Sequence, residues 1–463
     1  MRNYLLTTLV LMGLIVAVIG CKKKATDTTP PTFSKDIAGL LYENCTPCHR
    51  PDAPGPFSLI SYSDALRKAK TIVKVTQSGY MPPWPADPEY SHFKDERQLS
   101  AEQKQLLADW VAAGCPPGDT TNLPELPTFP KGSMIGQPDM VVPFSETISI
   151  KGNNDDHFFL VKVPFESDEP HFIKTIEFIP GNKKLLHHMN ANLIVYRPGA
   201  KSNVTRGEKV IPTDLTLTAE SVNDRMNNKN DDGTYPTMTP LVCNYLPGVS
   251  PALYPEGIGG YQMGQTNAFF INDLHYGPSP VDTVDDGSYF NIFFTNTPPT
   301  RPTYELLMGS LGETPIEPRL VIPAGSISTF TTRYKVQEDM SLLTVNPHMH
   351  LLGKSFLAYA LTPRGDTIRL IKIPKWDFRW QYFYTFEKVM KIPAGSEIVV
   401  EATFDNTADN PNNPYVPPQI IVERAHPWES MKTTNEMLQF IITYMRYQPG
   451  DENISLETPT YGW

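Results

Sequence analysis

Five of the ten histidines lie in three short motifs with the spacing of metal ligands: His187-His188-Met189, His275-Tyr276-Gly277 and His348-Met349-His350. Alternate residues of a β-strand share a face, so His348 and His350 can bind one ion together. Adjacent residues point to opposite faces, so His187 and His188 can share an ion only where a strand ends or bulges. Imidazole suits copper, zinc, iron and nickel alike, whereas a nearby thioether favours copper.

The segment Cys45-Thr46-Pro47-Cys48-His49 has the C-x-x-C-H spacing of covalent haem c attachment. Cys45 and Cys48 would bind the haem edge, and His49 would lie against the iron. The alternative is a disulfide oxidoreductase motif followed by an unrelated histidine. Met81, which precedes two prolines and Trp84, is the expected sixth ligand of the iron, with His92 as the second choice.

Three predicted helices would position these haem ligands. The first covers 34–44, the second covers 64–78 with Ser63 as its N-cap, and the third covers 101–113 from a capping box of Ser100 and Gln103. Pro-rich sequence then follows over 120–135 and predicts a semi-stiff linker.

Strand patterns predominate after the linker. Proline accounts for 46 of the 463 residues, which disfavours long helices. Segments rich in β-branched and aromatic residues predict strands at 157–163, 172–179, 189–196, 268–271, 289–294 and 397–404. The residues from 407 to 418 predict an irregular exposed segment. Two all-β sandwich domains of jelly-roll type would account for the length of this part.

Composition excludes several classes of protein. Hydrophobic residues make up 40% of the chain and charged residues 19%, which is typical of globular domains and not of disordered or multi-span membrane proteins. The net charge of −10 argues against nucleic acid as a partner.

The first 21 residues predict an export signal. A positive start precedes an apolar run over 5–19 that is short for a membrane span, and Gly20-Cys21 follows it. This arrangement resembles a bacterial lipoprotein signal, which implies lipidation of Cys21, a tether over 22–33 and attachment to a membrane of the cell envelope, facing the periplasm or the exterior. The alternative is an uncleaved anchor. The remaining cysteines, Cys115 and Cys243, could pair in an oxidising compartment or be independent buried thiols.

Two resemblances to known families rest on these motifs. The segment 34–119, with its C-x-x-C-H, its M-P-P-W and its terminal helix, resembles a small all-α class I cytochrome c domain. The later motifs, in their order, resemble the type II copper, ascorbate-dependent monooxygenases, among them the peptidylglycine and dopamine β-monooxygenases. The pieces that carry this second resemblance are Leu186–Met189, Asp273–Gly277, His348–Lys354 and Thr434–Met437.

The copper family implies two β-sandwiches, here 136–300 and 301–463, with a solvent-filled cleft between two copper ions. His187, His188 and His275 would hold the electron-storing copper. His348, His350 and Met437 would hold the catalytic copper that meets O2 and substrate.

Four positions depart from the peptidylglycine enzyme. Asn346 replaces an arginine, Gln439 an asparagine and Ile441 a tyrosine, and these losses argue against a substrate with a free carboxylate. Asp273 replaces a glutamine, and as a strand neighbour of His275 it could support the metal ligands or be an ordinary solvated carboxylate.

These observations predict an envelope-anchored copper monooxygenase that hydroxylates an aliphatic C–H bond of a small molecule or peptide with O2. Its electrons would come through the fused haem c from an external donor. The alternatives are a haem and copper electron-transfer or copper-holding lipoprotein without hydroxylase activity, and a binding module that uses metal for stability.

Overall fold

The computed structural model describes residues 29–51, 53–129, 132–213, 217–247, 249, 251–423 and 434–457. The predicted signal, Cys21 and most of the predicted tether lie outside these ranges. Among the described residues, no helix has the length and apolar character needed to span a membrane.

The described residues contain four α-helices: α1 (Ala38–Asn44), α2 (Tyr62–Gln77), α3 (Ala101–Ala112) and α4 (Ala219–Arg225). A π-helical turn over Phe33–Ile37 leads into α1, and short 3-10 turns cover Thr120–Asn122 and Asp451–Asn453. The first three helices pack around one apolar core that includes Phe33, Leu41, Leu107 and Trp110.

The capping box of α3 is as predicted, with Ser100 and Gln103 bonded reciprocally. The prediction of Ser63 as the N-cap of α2 is wrong, because Ser61 caps this helix two residues earlier. The Ser61 hydroxyl accepts from the backbone of Asp64, and the Asp64 carboxylate accepts from the backbone of Ser61. A carboxylate three residues after a serine completes a capping box, and this favours Ser61.

Most of the remaining structure is β-sheet. Strands β1 to β11 are Met140–Pro143, Ile148–Ile150, His157–Glu166, His171–Ile179, Leu186–Tyr196, Val210–Pro212, Thr237–Tyr245, Tyr261–Met263, Thr266–Tyr276, Thr283–Asp285 and Tyr289–Thr295. They form antiparallel sheets in the orders β1-β11-β4-β8 and β6-β3-β9-β5-β7, with the small pair β10-β2. The two larger sheets enclose one core, so this part is a β-sandwich.

Strands β12 to β22 form a second sandwich. They are Tyr304–Gly309, Ile316–Glu317, Val321–Ile322, Ile327–Lys335, Met340–His348, Gly353–Leu361, Thr367–Ile373, Tyr384–Ile392, Glu397–Asp405, Ile421–Val422 and Gln439–Arg446. The sheet orders are β12-β22-β16-β19 and β13-β15-β20-β17-β18, with the pair β14-β21. The six strands predicted from the sequence are all present, as β3, β4, β5, β9, β11 and β20.

The segment between α2 and α3 packs on the second sandwich. Phe93 and Ala86 are buried in the core of that sandwich. The backbone N–H groups of Asp87 and Lys94 donate to carbonyl groups of β18 and β19, each at 2.8 Å. The Pro-rich linker is therefore not the only connection between the helices and the β part.

Cys115 and Cys243 are buried free thiols in separate cores, the first among the helices and the second in the first sandwich. The structure thus agrees with two independent thiols, and no disulfide joins these two residues.

The side chain of Lys162 in β3 anchors the long connection between β5 and β7. This side chain is 1% exposed. Its ammonium donates to the carbonyl oxygens of Met226 at 2.8 Å, Asn227 at 3.1 Å and Arg206 at 3.2 Å. Burial, together with the nearby charges of Lys201 and Lys209, lowers the pKa of Lys162 to about 7.

This burial predicts how stability depends on pH. Between pH ~7 and ~10.5 the unfolded chain keeps the Lys162 proton that the folded chain has released, so the free energy of unfolding rises with pH. We expect wild type to gain up to about 1.4 kcal/mol per pH unit there, relative to Lys162→Met. Urea unfolding at pH 6 to 10 measures this difference, and parallel profiles for the two proteins would contradict it.

Candidate metal centres

Neighbouring strands bring His187, His188 and His275 together. His188 of β5 is the register partner of His275 of β9, and the pairing shifts between Leu186 and His188. This irregularity lets the adjacent His187 and His188 turn toward the same point, as the sequence required. Ligand nitrogens of all three histidines lie within 4.8 Å of one another.

The three imidazoles meet through their Nδ1 atoms. Nδ1 of His188 lies 3.2 Å from Nδ1 of His187 and 3.4 Å from Nδ1 of His275. Two nitrogen ligands bound to one ion at ~2.0–2.1 Å, with tetrahedral to trigonal angles, lie about 3.3–3.6 Å apart. The spacing of the three histidines is therefore that of a metal site.

Carboxylates orient two of these rings. Nε2 of His188 donates to Asp273 at 2.9 Å, and Nε2 of His275 donates to Asp156 at 2.7 Å. An ionised carboxylate can only accept, so the hydrogen of each neutral ring lies on Nε2 and Nδ1 keeps its lone pair. Two lone pairs that face each other repel unless a cation lies between them, which is the pattern of a carboxylate–histidine–metal arrangement.

The site keeps the imidazoles of His187 and His275 neutral. Burial, together with the charges of the two histidine neighbours, lowers the pKa of His187 to about 3. Burial also lowers the pKa of His275, whose side chain is 2% exposed. The bond from His275 holds the pKa of Asp156 below its usual range. Neutral imidazole is the form that binds metal ions.

Two supporting residues of this site follow from strand pairing. Asp273 does lie behind the ligands, but it bonds His188 and not its strand neighbour His275. Asp156 was not predicted, since it becomes adjacent to His275 only when β3 pairs with β9. Phe158 of β3 also stacks on the His275 ring, with centroids 4.1 Å apart.

The second pair of predicted ligands lies at the end of strand β16, with His348 as its last residue and His350 two residues beyond it. The ring centroids of His348 and His350 are 5.1 Å apart and the rings are perpendicular. Nδ1 of His350 donates to the carbonyl of Asn435 at 2.7 Å. The carbonyl fixes the hydrogen on Nδ1, so Nε2 is the nitrogen of His350 that can bind a metal ion.

Met437 lies near the end of the strand that carries His348. It precedes β22 by two residues, and the first residue of β22, Gln439, pairs with His348, the last residue of β16. Met437 is 4% exposed. The neighbouring Glu436 accepts from the backbone N–H groups of His350 at 2.9 Å and Met437 at 3.3 Å, and so ties the two segments together.

A phenylalanine ring joins the two histidine groups. The ring centroid of Phe378 lies 5.9 Å from that of His187, nearly parallel, and 5.8 Å from that of His350, perpendicular. The centroids of His187 and His350 are therefore no further apart than these two distances together, about 12 Å. Nothing in the motif pattern singled out Phe378.

The haem motif lies after α1 with one ligand already oriented. Nδ1 of His49 lies 3.1 Å from the carbonyl oxygen of Phe57, and the His49 ring packs on the Phe57 ring. A hydrogen on Nδ1 leaves Nε2 able to bind iron. A Cβ at Gly55 would lie 2.5 Å from the Cys48 carbonyl oxygen and 2.9 Å from Nδ1 of His49, so only glycine fits against this motif.

The two cysteines of the motif are partly buried. Cys45 and Cys48 are free thiols, and burial raises the pKa of both. Arg97 hydrogen-bonds Cys48. Arg97 also lines a cleft of about 70 Å³ together with Trp84 and Tyr382, and neither cysteine is among the residues that line it.

The two alternative axial ligands lie in different surroundings. Met81 follows α2, and its backbone N–H donates to Val75 at 3.1 Å. His92 is largely exposed beside Glu96. Of the histidines outside the motifs, His157 is half-buried and bonds the Lys151 carbonyl, and His171 stacks on a phenylalanine. His426 lies outside the described residues.

The side chains at the positions that depart from the peptidylglycine enzyme make contacts within the second sandwich. The Asn346 amide donates to the carbonyl of Tyr382 at 2.9 Å, and the Gln439 amide donates to Ser310 at 2.7 Å. Ile441 is the cross-strand partner of Asn346. None of the three replacements brings a positive charge to His348 and His350.

Comparisons with known proteins leave the chain without an assigned family. No model of a protein family matches it, and no curated protein matches it. Among solved structures, one of the infectious bursal disease virus Gx strain has a TM-score of 0.15 at 10% identity, covering 70% of this chain and 80% of that one. The VP2 subviral particle of infectious bursal disease virus has the same TM-score and identity, with coverages of 73% and 87%. Similarity at this level carries no argument about function.

The carboxylate behind His275 provides a test of the three-histidine site. Asp156→Asn should lower its affinity for Cu²⁺ or Zn²⁺ by roughly 10–100-fold, because the amide no longer orients the ring as an anionic acceptor. Calorimetric titration measures this affinity. Asp155→Asn, at the exposed neighbouring position, is the matched control and should bind as wild type does. Equal affinities for all three proteins would contradict the role of Asp156.

Proposed function

We propose that this protein is a copper-dependent monooxygenase that hydroxylates an aliphatic C–H bond with O2 and receives its electrons through a fused haem c. The observation that carries the proposal is that Nδ1 of His188 lies 3.2 Å from Nδ1 of His187 and 3.4 Å from Nδ1 of His275, with carboxylates behind the rings of His188 and His275. The motif order and the resemblance to the copper monooxygenases supply the choice of metal and reaction.

The reaction explains why two metal sites are needed. Inserting one oxygen atom of O2 into a C–H bond and releasing the other as water takes two electrons and two protons from outside the substrate. Two copper ions can each hold one of these electrons. In this proposal His187, His188 and His275 bind the storage ion, and His348, His350 and Met437 bind the ion at which O2 is used.

The donor types suit this division of roles. Three neutral imidazoles are good ligands for both copper oxidation states, whereas the thioether of Met437 favours the reduced ion, the state that reacts with O2. Glu436 would hold His350 in place for this purpose, because its carboxyl group accepts from the backbone N–H groups of His350 and Leu352.

The haem part of the proposal rests on chemistry at Cys45, Cys48 and His49. The hydrogen bond from His49 to Phe57 orients the ring as an axial ligand would need. Methionine as the second axial ligand raises the potential of haem iron and suits electron transfer. Together with lipidation at Cys21, this would make the protein a membrane-attached enzyme of the cell envelope with its own electron-transfer group.

A second candidate function is electron transfer or copper storage without hydroxylation. The observation that favours it is the Phe378 ring between His187 and His350, where the copper monooxygenases are expected to have a solvent-filled cleft. A substrate has less room between the two sites when an aromatic ring lies there.

Copper counting combined with oxygen uptake tests the proposed function. Wild type should bind two copper ions per chain, and His275→Ala and Met437→Ala should each disturb one site only, because their ligands belong to separate groups. EPR of the cupric protein and metal analysis measure this. His171→Ala, outside both groups, is the control.

Oxygen uptake then separates the two candidates. A monooxygenase consumes O2 in proportion to hydroxylated product when a C–H substrate is added. Oxygen reduced to hydrogen peroxide without product, over a broad panel of small molecules and peptides, would favour the electron-transfer candidate. A chain that binds no copper would contradict both.

The haem ligands give a further prediction. Met81→Leu should convert a six-coordinate low-spin haem into a high-spin one and lower its potential, since the thioether ligand is lost. His92→Leu should leave both unchanged. Optical spectra and a redox titration of the two variants decide between Met81 and His92 as the axial ligand.

A further inference from the structure

The connection between β18 and β19, residues 374–383, touches all three proposed redox sites. We call it the bridging loop. It was predicted neither as a motif nor as an element, yet it contains three of the aromatic residues nearest to the histidines and the haem segment: Phe378, Trp380 and Tyr382.

At one end, the bridging loop meets both histidine groups. Phe378 stacks on His187 at 5.9 Å and meets His350 edge-on at 5.8 Å. Trp376 is also bonded to this region, because its indole N–H donates to the carbonyl of His350 at 3.2 Å.

At the other end, the bridging loop meets the segment that flanks Met81. Arg379 donates to the Tyr80 hydroxyl at 2.7 Å, and its guanidinium lies 5.0 Å from the centre of that ring. The hydroxyl of Tyr382 donates to the Pro83 carbonyl at 3.0 Å. Met81 is therefore held between two contacts with the same loop.

Stacked aromatic rings extend from the end of the loop near Met81 as far as Trp380. Trp84 stacks on Tyr382 with centroids 5.7 Å apart, and Tyr382 stacks on Trp380 at 6.1 Å. Phe378 precedes Trp380 by two residues in the chain. The side chain of Cys48 is near enough to Tyr382 for its charge to influence that phenol.

The bridging loop is rigidly held. Asn346 donates to the carbonyls of Tyr382 at 2.9 Å and Gln381 at 3.3 Å, and Asn346 is 7% exposed. Tyr382 itself is 4% exposed. The rings are thus fixed relative to both sandwiches, which is what efficient electron transfer requires of the groups between a donor and an acceptor.

We propose that the bridging loop is the route by which electrons pass from the haem segment to the three-histidine site, through Trp84, Tyr382, Trp380 and Phe378. This inference rests on the proposed function. In the step concerned, one electron leaves ferrous haem and reduces one cupric ion, so that ferric haem and a cuprous ion result and no proton moves. The haem is reduced in turn by a one-electron donor.

Anaerobic stopped-flow measurements on the full chain, loaded with haem and copper, test this route. The oxidised protein is mixed with less than one equivalent of reduced methyl viologen, and the haem absorbance is followed. Copper-free protein, in which the haem should stay reduced, is the reference. In the loaded protein the haem should reoxidise in a first-order step independent of protein concentration, while the cupric EPR signal decreases.

Three variants locate the route. Phe378→Leu and Trp380→Leu should slow haem reoxidation by roughly tenfold, a change of about 1.4 kcal/mol in activation free energy. Phe383→Leu is the matched control, because Phe383 belongs to the same loop and packs on the core of the second sandwich but is not one of the four rings of the proposed route. It should transfer electrons at the wild-type rate. Trp380 contacts none of the histidines, so its variant tests the route even if Phe378→Leu weakens copper binding.

The outcomes separate this inference from the proposed function. Slower transfer in the first two variants and not in the third supports the bridging loop. Equal rates in all four proteins overturn it while leaving haem-to-copper transfer in place. Absence of reoxidation in a wild-type protein that binds two coppers and hydroxylates with an external reductant also overturns it, and leaves the monooxygenase intact.

Discussion

The candidate chemistry depends on two lone pairs that face each other. The carboxylates of Asp156 and Asp273 fix the hydrogens of His275 and His188 on Nε2, so the two Nδ1 atoms meet at 3.4 Å with no hydrogen between them. In a buried site this contact is unfavourable unless a cation relieves it. Two strands, an irregular pairing and two acidic side chains maintain that arrangement. A histidine cluster with a purely structural role would not need it.

Packing between the helices and the sandwiches affects how the C-x-x-C-H motif is positioned relative to the histidine groups. A haem domain on a flexible linker would reach copper through high effective concentration. Here the segment that follows Met81 contributes Ala86 and Phe93 to the core of the second sandwich. The segment after Met81 is therefore held at a set place by apolar burial, and under the proposed function transfer between the sites would take place over fixed distances.

The bridging loop connects the histidine groups with the segment around Met81. Its aromatic residues contact the haem segment on one side and His187 and His350 on the other. Asn346 anchors the loop by donating to the carbonyl of Tyr382. This hydrogen bond helps to set the position of the rings.

Local sequence determined the ligands and the elements that carry them. Residue types at spacings of one, two and three define the histidine and cysteine motifs, and side-chain alternation defines strands such as β5 and β9, because these patterns act between chain neighbours. The need for an irregular strand at His187 and His188 also followed from the alternation of side chains. Only the tertiary structure placed Asp156 behind His275, moved the partner of Asp273 to His188 and set Phe378 between the two histidine groups. These contacts join residues far apart in the chain, and strand register and loop packing, which no local pattern encodes, decide which of them meet.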